Sequence, residues 1–177
     1  TDPEAGRRGI SLFLVDARAP GMDIRPMPAL GARTSPPNEV FIDNVRVPER
    51  FLLGEENDGW SRLMQSLNIE RLLIAAACAG QCLKILEISS TFAREREALG
   101  QPITAYQAIS HKLVDIQMMA EVARLVTFHA AEMLDAGQDA VLETTNAKVI
   151  ASENNVACAD LGMRVMGGTG YVEGEMQ

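Results

Sequence analysis

Aromatic residues make up only 5% of this 177-residue chain, with a single tryptophan. The core is therefore expected to be built from the abundant Ala, Leu, Met and Val, which favours packed helices over an all-β sandwich. Basic residues are also scarce: 16 Lys and Arg against 24 Asp and Glu leave a net charge of −8. A nucleic-acid backbone needs a basic face, so binding to it is not expected as the main activity. An anionic small molecule remains possible, because one local arginine can hold a phosphate. Cysteine is limited to Cys78, Cys82 and Cys158. An odd number without a secretory mark predicts no disulfide framework and a reducing compartment: the cytoplasm, or the mitochondrial matrix if the source is eukaryotic. No apolar run reaches about 18 residues, so no membrane span is expected. No charged-then-apolar N-terminus resembles a signal peptide. Repeats and low-complexity tracts are absent. What remains is an ordinary globular balance, 47% hydrophobic and 23% charged.

Two compositions meet near residue 55. Most of the eight prolines precede it, along with short alternating runs. Ile10–Asp16 reads as a strand and Glu39–Pro48 as another, with turn chemistry at Pro20-Gly21 and Ser35-Pro36-Pro37 between them. So few strands cannot bury a core alone, which predicts a sheet whose remainder lies elsewhere. Beyond Asn57-Asp58-Gly59 long helical patterns take over. The first is expected from Trp60 to about Leu99, stopped by Gly100-Gln101-Pro102. Its seam reads Leu67, Arg71, Ile74, Cys78, Gln81, Ile85, Ile88, Phe92. The second is expected from about Ala105 to Asp135, with Ile109, Leu113, Ile116, Ala120, Ala123, Thr127, Ala130 and Leu134 in its stripe. The third is expected from about Ala140 to Met166, its stripe being Ala147, Ala151, Asn154, Cys158, Leu161 and Val165. Short turns between long helices predict a mainly α, antiparallel up-down bundle preceded by a few β-strands. Three stripes leave one side uncovered, which predicts a further helix after residue 177.

Several residues break these patterns. Arg71 and Gln81 fall at seam positions where Leu or Ile is the rule. A buried guanidinium needs a carboxylate or an anionic ligand, and Glu70 directly precedes Arg71. This is either an internal ion pair or register-fixing polar layer, or a carboxylate in an apolar site suited to proton abstraction. The run Arg94–Ile103 is either a solvated charged helix end or an anion site. Gly167-Gly168-Thr169-Gly170 allows close backbone approach, yet follows a helix instead of preceding one, so a plain C-cap explains it equally well. Cys78 and Cys82 lack a nearby histidine to complete a zinc site and read as small buried thiols. No metal site is expected.

The same residues, taken in order, resemble the acyl-CoA dehydrogenase family over nearly the whole chain. Gly9–Val15, Pro20-Gly21 and Leu30-Gly31-Ala32-Arg33 resemble the latter half of its middle β-domain. Phe41–Pro48 with Leu52-Leu53-Gly54 resembles the link into its C-terminal helices. Arg96-Glu97-Ala98-Leu99-Gly100-Gln101-Pro102-Ile103 with Gln107 resembles the R-x-x-F-G-x-x-I…Q signature, and Gly167-Gly168-Thr169-Gly170-Tyr171 the G-G-x-G-[YF] turn. The resemblance implies that 1–54 is the end of the β-domain and 55–177 the helical bundle without its last helix. It implies an FAD enzyme oxidising an acyl-CoA to the 2,3-enoyl-CoA, with electrons passed to an electron-transfer flavoprotein, in a homotetramer or homodimer. Arg96 would bind the FAD pyrophosphate, with Ala98, Gln107, Arg164, Gly167 and Gly168 also on the cofactor side. Asn68 and Arg71 would line the acyl-CoA site. The catalytic base would be Glu70, as in a minority of members, or a glutamate beyond the glycine turn. Three departures stand out: Leu99 for the usual Phe, Ala98 without the hydroxyl of some members, and Arg164 where many carry Gln. Residues 1–177 alone are expected to be inactive and to bind FAD weakly or not at all.

Two other readings share these features. One is an acyl-CoA oxidase or flavin monooxygenase of the same fold, separable by the oxygen reactivity of the reduced protein. The other is a non-catalytic oligomerisation bundle, which predicts that no acyl-CoA bleaches bound flavin.

Overall fold

The computed structural model describes residues 1–31 and 34–172; Ala32, Arg33 and residues 173–177, which include part of the expected β-domain match, lie outside the described residues. The chain divides into two compact units, Thr1–Gln65 and Ser66–Gln177.

In the first unit a 3₁₀ segment, Pro3–Gly9, leads into β1 (Leu12–Phe13), which pairs antiparallel with β4 (Leu52–Leu53). The antiparallel pair β2 (Met22–Pro26) and β3 (Asn38–Ile42) runs from Met22 opposite Ile42 to Pro26 opposite Asn38. The expected strands are thus shorter than their alternating patterns. The first is ended by a turn in which Ala19 N–H donates to the Asp16 carbonyl at 2.9 Å. The second is ended at Asn44, whose φ of 52° breaks the extended run. β2 was not anticipated, because its alternation rests on Met22 and Ile24 alone. Gly21 enables this pairing: its φ is 94°, and a Cβ there would lie 2.1 Å from the Asp43 carbonyl oxygen. β2 and β3 are exposed almost throughout.

Helices dominate the second unit. α1 (Gly59–Glu95) enters it from the first, and α2 (Gln107–Asp135) and α3 (Val141–Met166) follow. One buried cluster joins Ala75 and Ala79 to Ala123, Ala130, Ala147 and Ala151. A second joins Cys82 to Ile116, Ala120 and Cys158. Going from the first cluster to the second, residue numbers rise on α1 and α3 and fall on α2. The helices therefore run up, down and up, as expected of the bundle.

The stripes expected on α2 and α3 supply the buried residues Ile116, Ala120, Ala123, Thr127 and Ala130, and Ala147, Ala151, Cys158 and Val165. On α1 the seam is corrected by one residue, about 100° of helix rotation. The buried positions are Ala75, Ala79, Cys82, Ser89 and Ala93. Small side chains here allow the backbones to approach closely, while the bulkier expected set flanks the contact. Gln81 and Glu70 are consequently exposed and Arg71 is half-buried. Two of the buried hydroxyls are satisfied locally: Thr127 Oγ1 donates to the Ala123 carbonyl at 2.7 Å and Thr144 Oγ1 to that of Ala140 at 2.8 Å.

Two further expectations are corrected. Over an 18-residue window α1 has a mean hydropathy of 1.6, enough by length and composition to cross a membrane. Gln81, Lys84 and Glu87 interrupt its apolar runs, and the surrounding Leu, Ile and Ala outweigh them. The helix also stops at Glu95, before the expected Leu99. From there the chain folds into a hairpin, β5 (Glu97–Ala98) against β6 (Gln101–Pro102). Leu99 and Gly100 both have positive φ, 52° and 83°, the signature of a type I′ turn. Gly100 is therefore a turn residue and not a helix cap. At the end of α3, Gly167 takes a φ of 60° and its N–H reaches the Met163 carbonyl, the stop expected there.

Candidate functional site

Arg71 meets a partner on its own helix, one turn back. Its Nη1 donates to Asn68 Oδ1 at 2.6 Å. Glu70 is exposed, and the expected buried Glu-Arg pair does not form among the described residues. An amide oxygen orients a guanidinium without neutralising it, and no carboxylate lies within ion-pair distance of Arg71 among the described residues. A half-buried, uncompensated cation flanked by a free carboxylate can bind a polar ligand and present a proton acceptor to it.

The β5–β6 hairpin positions Arg96. Arg96 N–H continues the helical ladder to the Phe92 carbonyl, while the Arg96 carbonyl accepts from Ile103 N–H, both at 2.8 Å. Tyr106 Oη donates to the Ala98 carbonyl at 2.8 Å and braces the turn from outside. Arg96 thereby lines a groove of about 400 Å³ with Phe92, Ile103, Met166, Gly167 and Gly168. A Cβ built at Gly167 or Gly168 meets nothing within 4 Å, so the backbone there is open to a ligand. No carboxylate is paired with the Arg96 guanidinium among the described residues. An always charged donor fork beside open backbone suits a phosphate group, and on this ground the residues fit the pyrophosphate of a dinucleotide.

Of the expected cofactor residues, the structure brings Arg96, Gly167 and Gly168 together. Ala98 lies in the hairpin, Gln107 opens α2, and neither lines the groove. Arg164 is occupied by Asp160, one helical turn away, at 2.9 Å. Thr169, which also lines the groove, was missed; its place within the glycine turn was the available signal.

Two of the three thiols are shielded from solvent. Cys82 and Cys158 are fully buried. Burial, reinforced by Cys158 nearby, pushes the Cys82 thiol up to about 12; burial likewise raises Cys158. Cys78 is half-buried, short of the full burial expected of it.

Comparison with known proteins gives the same outline. Residues 57–177 match the family model for the acyl-CoA dehydrogenase C-terminal domain. An acyl-CoA dehydrogenase from Bacillus subtilis is 38% identical over 98% of this chain, which spans 46% of that protein. The butyryl-CoA dehydrogenase structure from Megasphaera elsdenii superposes with a TM-score of 0.93 at 30% identity, covering 98% of this chain and 45% of its own. The structure of PigA with FAD and proline superposes with a TM-score of 0.94 at 25% identity, covering 98% and 45%. The chain thus spans about half the length of the relatives it matches.

Proposed function

We infer the function from the fact that this chain belongs to the acyl-CoA dehydrogenase family: the intact protein is an FAD-dependent oxidoreductase that converts an acyl-CoA thioester to its 2,3-enoyl-CoA. When bound, FAD supplies the two-electron acceptor that takes the β-hydrogen as hydride. Electrons then leave to an electron-transfer flavoprotein, and the protein works as a homotetramer or homodimer.

In this reading Arg96 holds the pyrophosphate, and the open backbone at Gly167 and Gly168 admits the cofactor's approach. The observation that carries the reading is the shared groove of Arg96 and these glycines. Asn68 and Arg71 line the acyl-CoA site, with Asn68 fixing the guanidinium through the 2.6 Å hydrogen bond. Glu70 takes the α-proton. Its exposure in this chain leaves the carboxylate free for a substrate.

The test uses the intact protein and its Glu70→Gln variant, with oxidised-flavin absorbance followed as straight and branched acyl-CoAs are added anaerobically. Wild type bleaches; Glu70→Gln binds FAD and does not. Equal bleaching by both removes Glu70 as the base. No bleaching of wild type by any acyl-CoA overturns the dehydrogenase reading.

A further inference from the structure

The hairpin that presents Arg96 has little of its own to hold it. β5 and β6 pair over Glu97 with Pro102 and Ala98 with Gln101, and so short a strand pair is not stable alone. Pro102 has no N–H to give to the ladder. Leu99 at the tip is 95% exposed, so its side chain buries almost nothing. Its φ of 52° is strained for a residue that carries a Cβ. Strain of this kind persists only where the surroundings over-determine the conformation.

Tyr106 supplies that constraint from outside the hairpin. Its Oη donates to the Ala98 carbonyl at 2.8 Å, so the strut reaches the last residue before the turn. At the base, Ile103 N–H donates to the Arg96 carbonyl at 2.8 Å. The segment that begins at Arg96 is therefore tied at both base and tip. Tyr106 is half-buried and does not line the groove of Arg96 and the glycines. Its hydroxyl touches the hairpin and not the space a ligand would fill.

The position is an unusual one for tyrosine. Tyr106 is the N-cap of α2, and its side chain makes no capping hydrogen bond. Ser, Thr, Asp and Asn are preferred at an N-cap because their short oxygens reach the free N–H groups of the first turn. The tyrosine oxygen is instead committed to the hairpin. Where a local rule is broken, a functional demand is the expected reason. The Tyr106 carbonyl accepts from Ile109 and Ser110 N–H at 2.9 and 3.0 Å, which anchors the residue in the start of α2. The strut thus refers the hairpin to the helical bundle.

We propose that Tyr106 is a positioning residue for the cofactor: through the Ala98 carbonyl, its hydroxyl holds the hairpin that presents Arg96 to the pyrophosphate. FAD affinity then depends on a group that does not touch FAD. This rests on the reading above of Arg96 as the pyrophosphate ligand and adds the residue that sets its place.

The test measures FAD dissociation constants on the apo form of the intact protein by flavin fluorescence. Wild type, Tyr106→Phe, Arg96→Ala and the double variant are compared. Tyr106→Phe keeps the ring and removes one oxygen, and should weaken FAD binding by about 3- to 10-fold, the effect of one hydrogen bond. In the Arg96→Ala background the same change should alter affinity by less than about twofold, because no guanidinium is left to position. An equal loss in both backgrounds marks a general structural role and overturns the proposal. Leu99→Asn relieves the strain at the tip by a separate route. Added to Tyr106→Phe, it should return FAD affinity to within about twofold of wild type; no recovery overturns the proposal. If Arg96→Ala is weakened and Tyr106→Phe is not, the proposal falls alone. If Arg96→Ala binds FAD as tightly as wild type, the pyrophosphate reading falls and the proposal with it.

Discussion

Asn155 on α3 donates its Nδ2 to Oε1 of Gln81 on α1, at 2.6 Å. The preceding residue reaches the other way: Asn154 Nδ2 donates to the Met119 carbonyl on α2 at 3.0 Å. Two consecutive asparagines thus tie α3 to both neighbours and fix its axial position, which alanine contacts alone would leave free to slide. Asn155→Leu is expected to cost about 1 kcal/mol, the ordinary net value of one such hydrogen bond. Pairing it with Gln81→Leu should cost less than the sum of the single changes. Urea midpoints of the four proteins in the cycle provide the check, and simple additivity would show that the bond contributes nothing.

Leu99 sits at a φ of 52° in the hairpin that carries Arg96, a conformation that asparagine or glycine adopts more easily. Leu99→Asn should therefore raise stability by about 1 kcal/mol. Gly100→Ala, at a φ of 83°, should lower it and loosen FAD binding. Thermal melts with and without added FAD separate the two effects.

Ser89 is fully buried on α1, and its hydroxyl lacks a hydrogen-bond partner among the described residues. Leaving such a group unsatisfied costs about 1–3 kcal/mol. Ser89→Ala should accordingly raise the urea midpoint. A lower midpoint would mean that the hydroxyl finds a partner in the intact protein.

Cys82 makes stability sensitive to alkali. Its thiol rises from 9.0 to about 12 on folding, so the folded chain holds this proton more tightly than the unfolded one. The contribution is complete below the lower value and is lost as pH rises between the two. Cys82→Ala should therefore flatten the decline in urea midpoint between about pH 8 and pH 10.5. At the lower pH an alkylating reagent should modify Cys78 well before Cys82 and Cys158, a ranking read from the labelled peptides.

Arg96→Ala should weaken FAD binding by about 10- to 100-fold, the loss expected for a charge-assisted hydrogen bond. Arg96→Lys retains the charge without the planar fork and should fall between. Titration of the apoprotein, followed by flavin fluorescence, measures both.

The bundle was legible because α2 and α3 bury small residues on one side in a strict three-four alternation, with Gly137 and Gly167 marking their ends. α1 misled by one residue. Its largest apolar side chains invite a seam through Ile74, Ile85 and Ile88, yet alanine and cysteine occupy the contact because helices that approach closely have no room for more. The hairpin was hidden for a related reason: Arg94–Leu99 has helix-forming composition, and only the Leu-Gly pair carries the turn. Arg96 and the glycines of the candidate site were named from their resemblance to family motifs. Their meeting in one groove depends on where that hairpin places Arg96, which spacing along the chain does not encode. Adjacency in sequence suggests Glu70 and Arg71 as partners, whereas a helix places neighbours three or four residues apart on one face, and Asn68 fills that place.

The two connections in the helical unit would respond differently to added sequence. The link from α1 to α2 is a braced hairpin whose strands, turn and tyrosine strut all bear on one arginine, so an inserted residue would be felt at the groove. The link from α2 to α3 turns at Gly137, with a φ of 70° and solvent around Gln138 and Asp139. A fluorophore, affinity tag or guest peptide placed there would leave the helices in register.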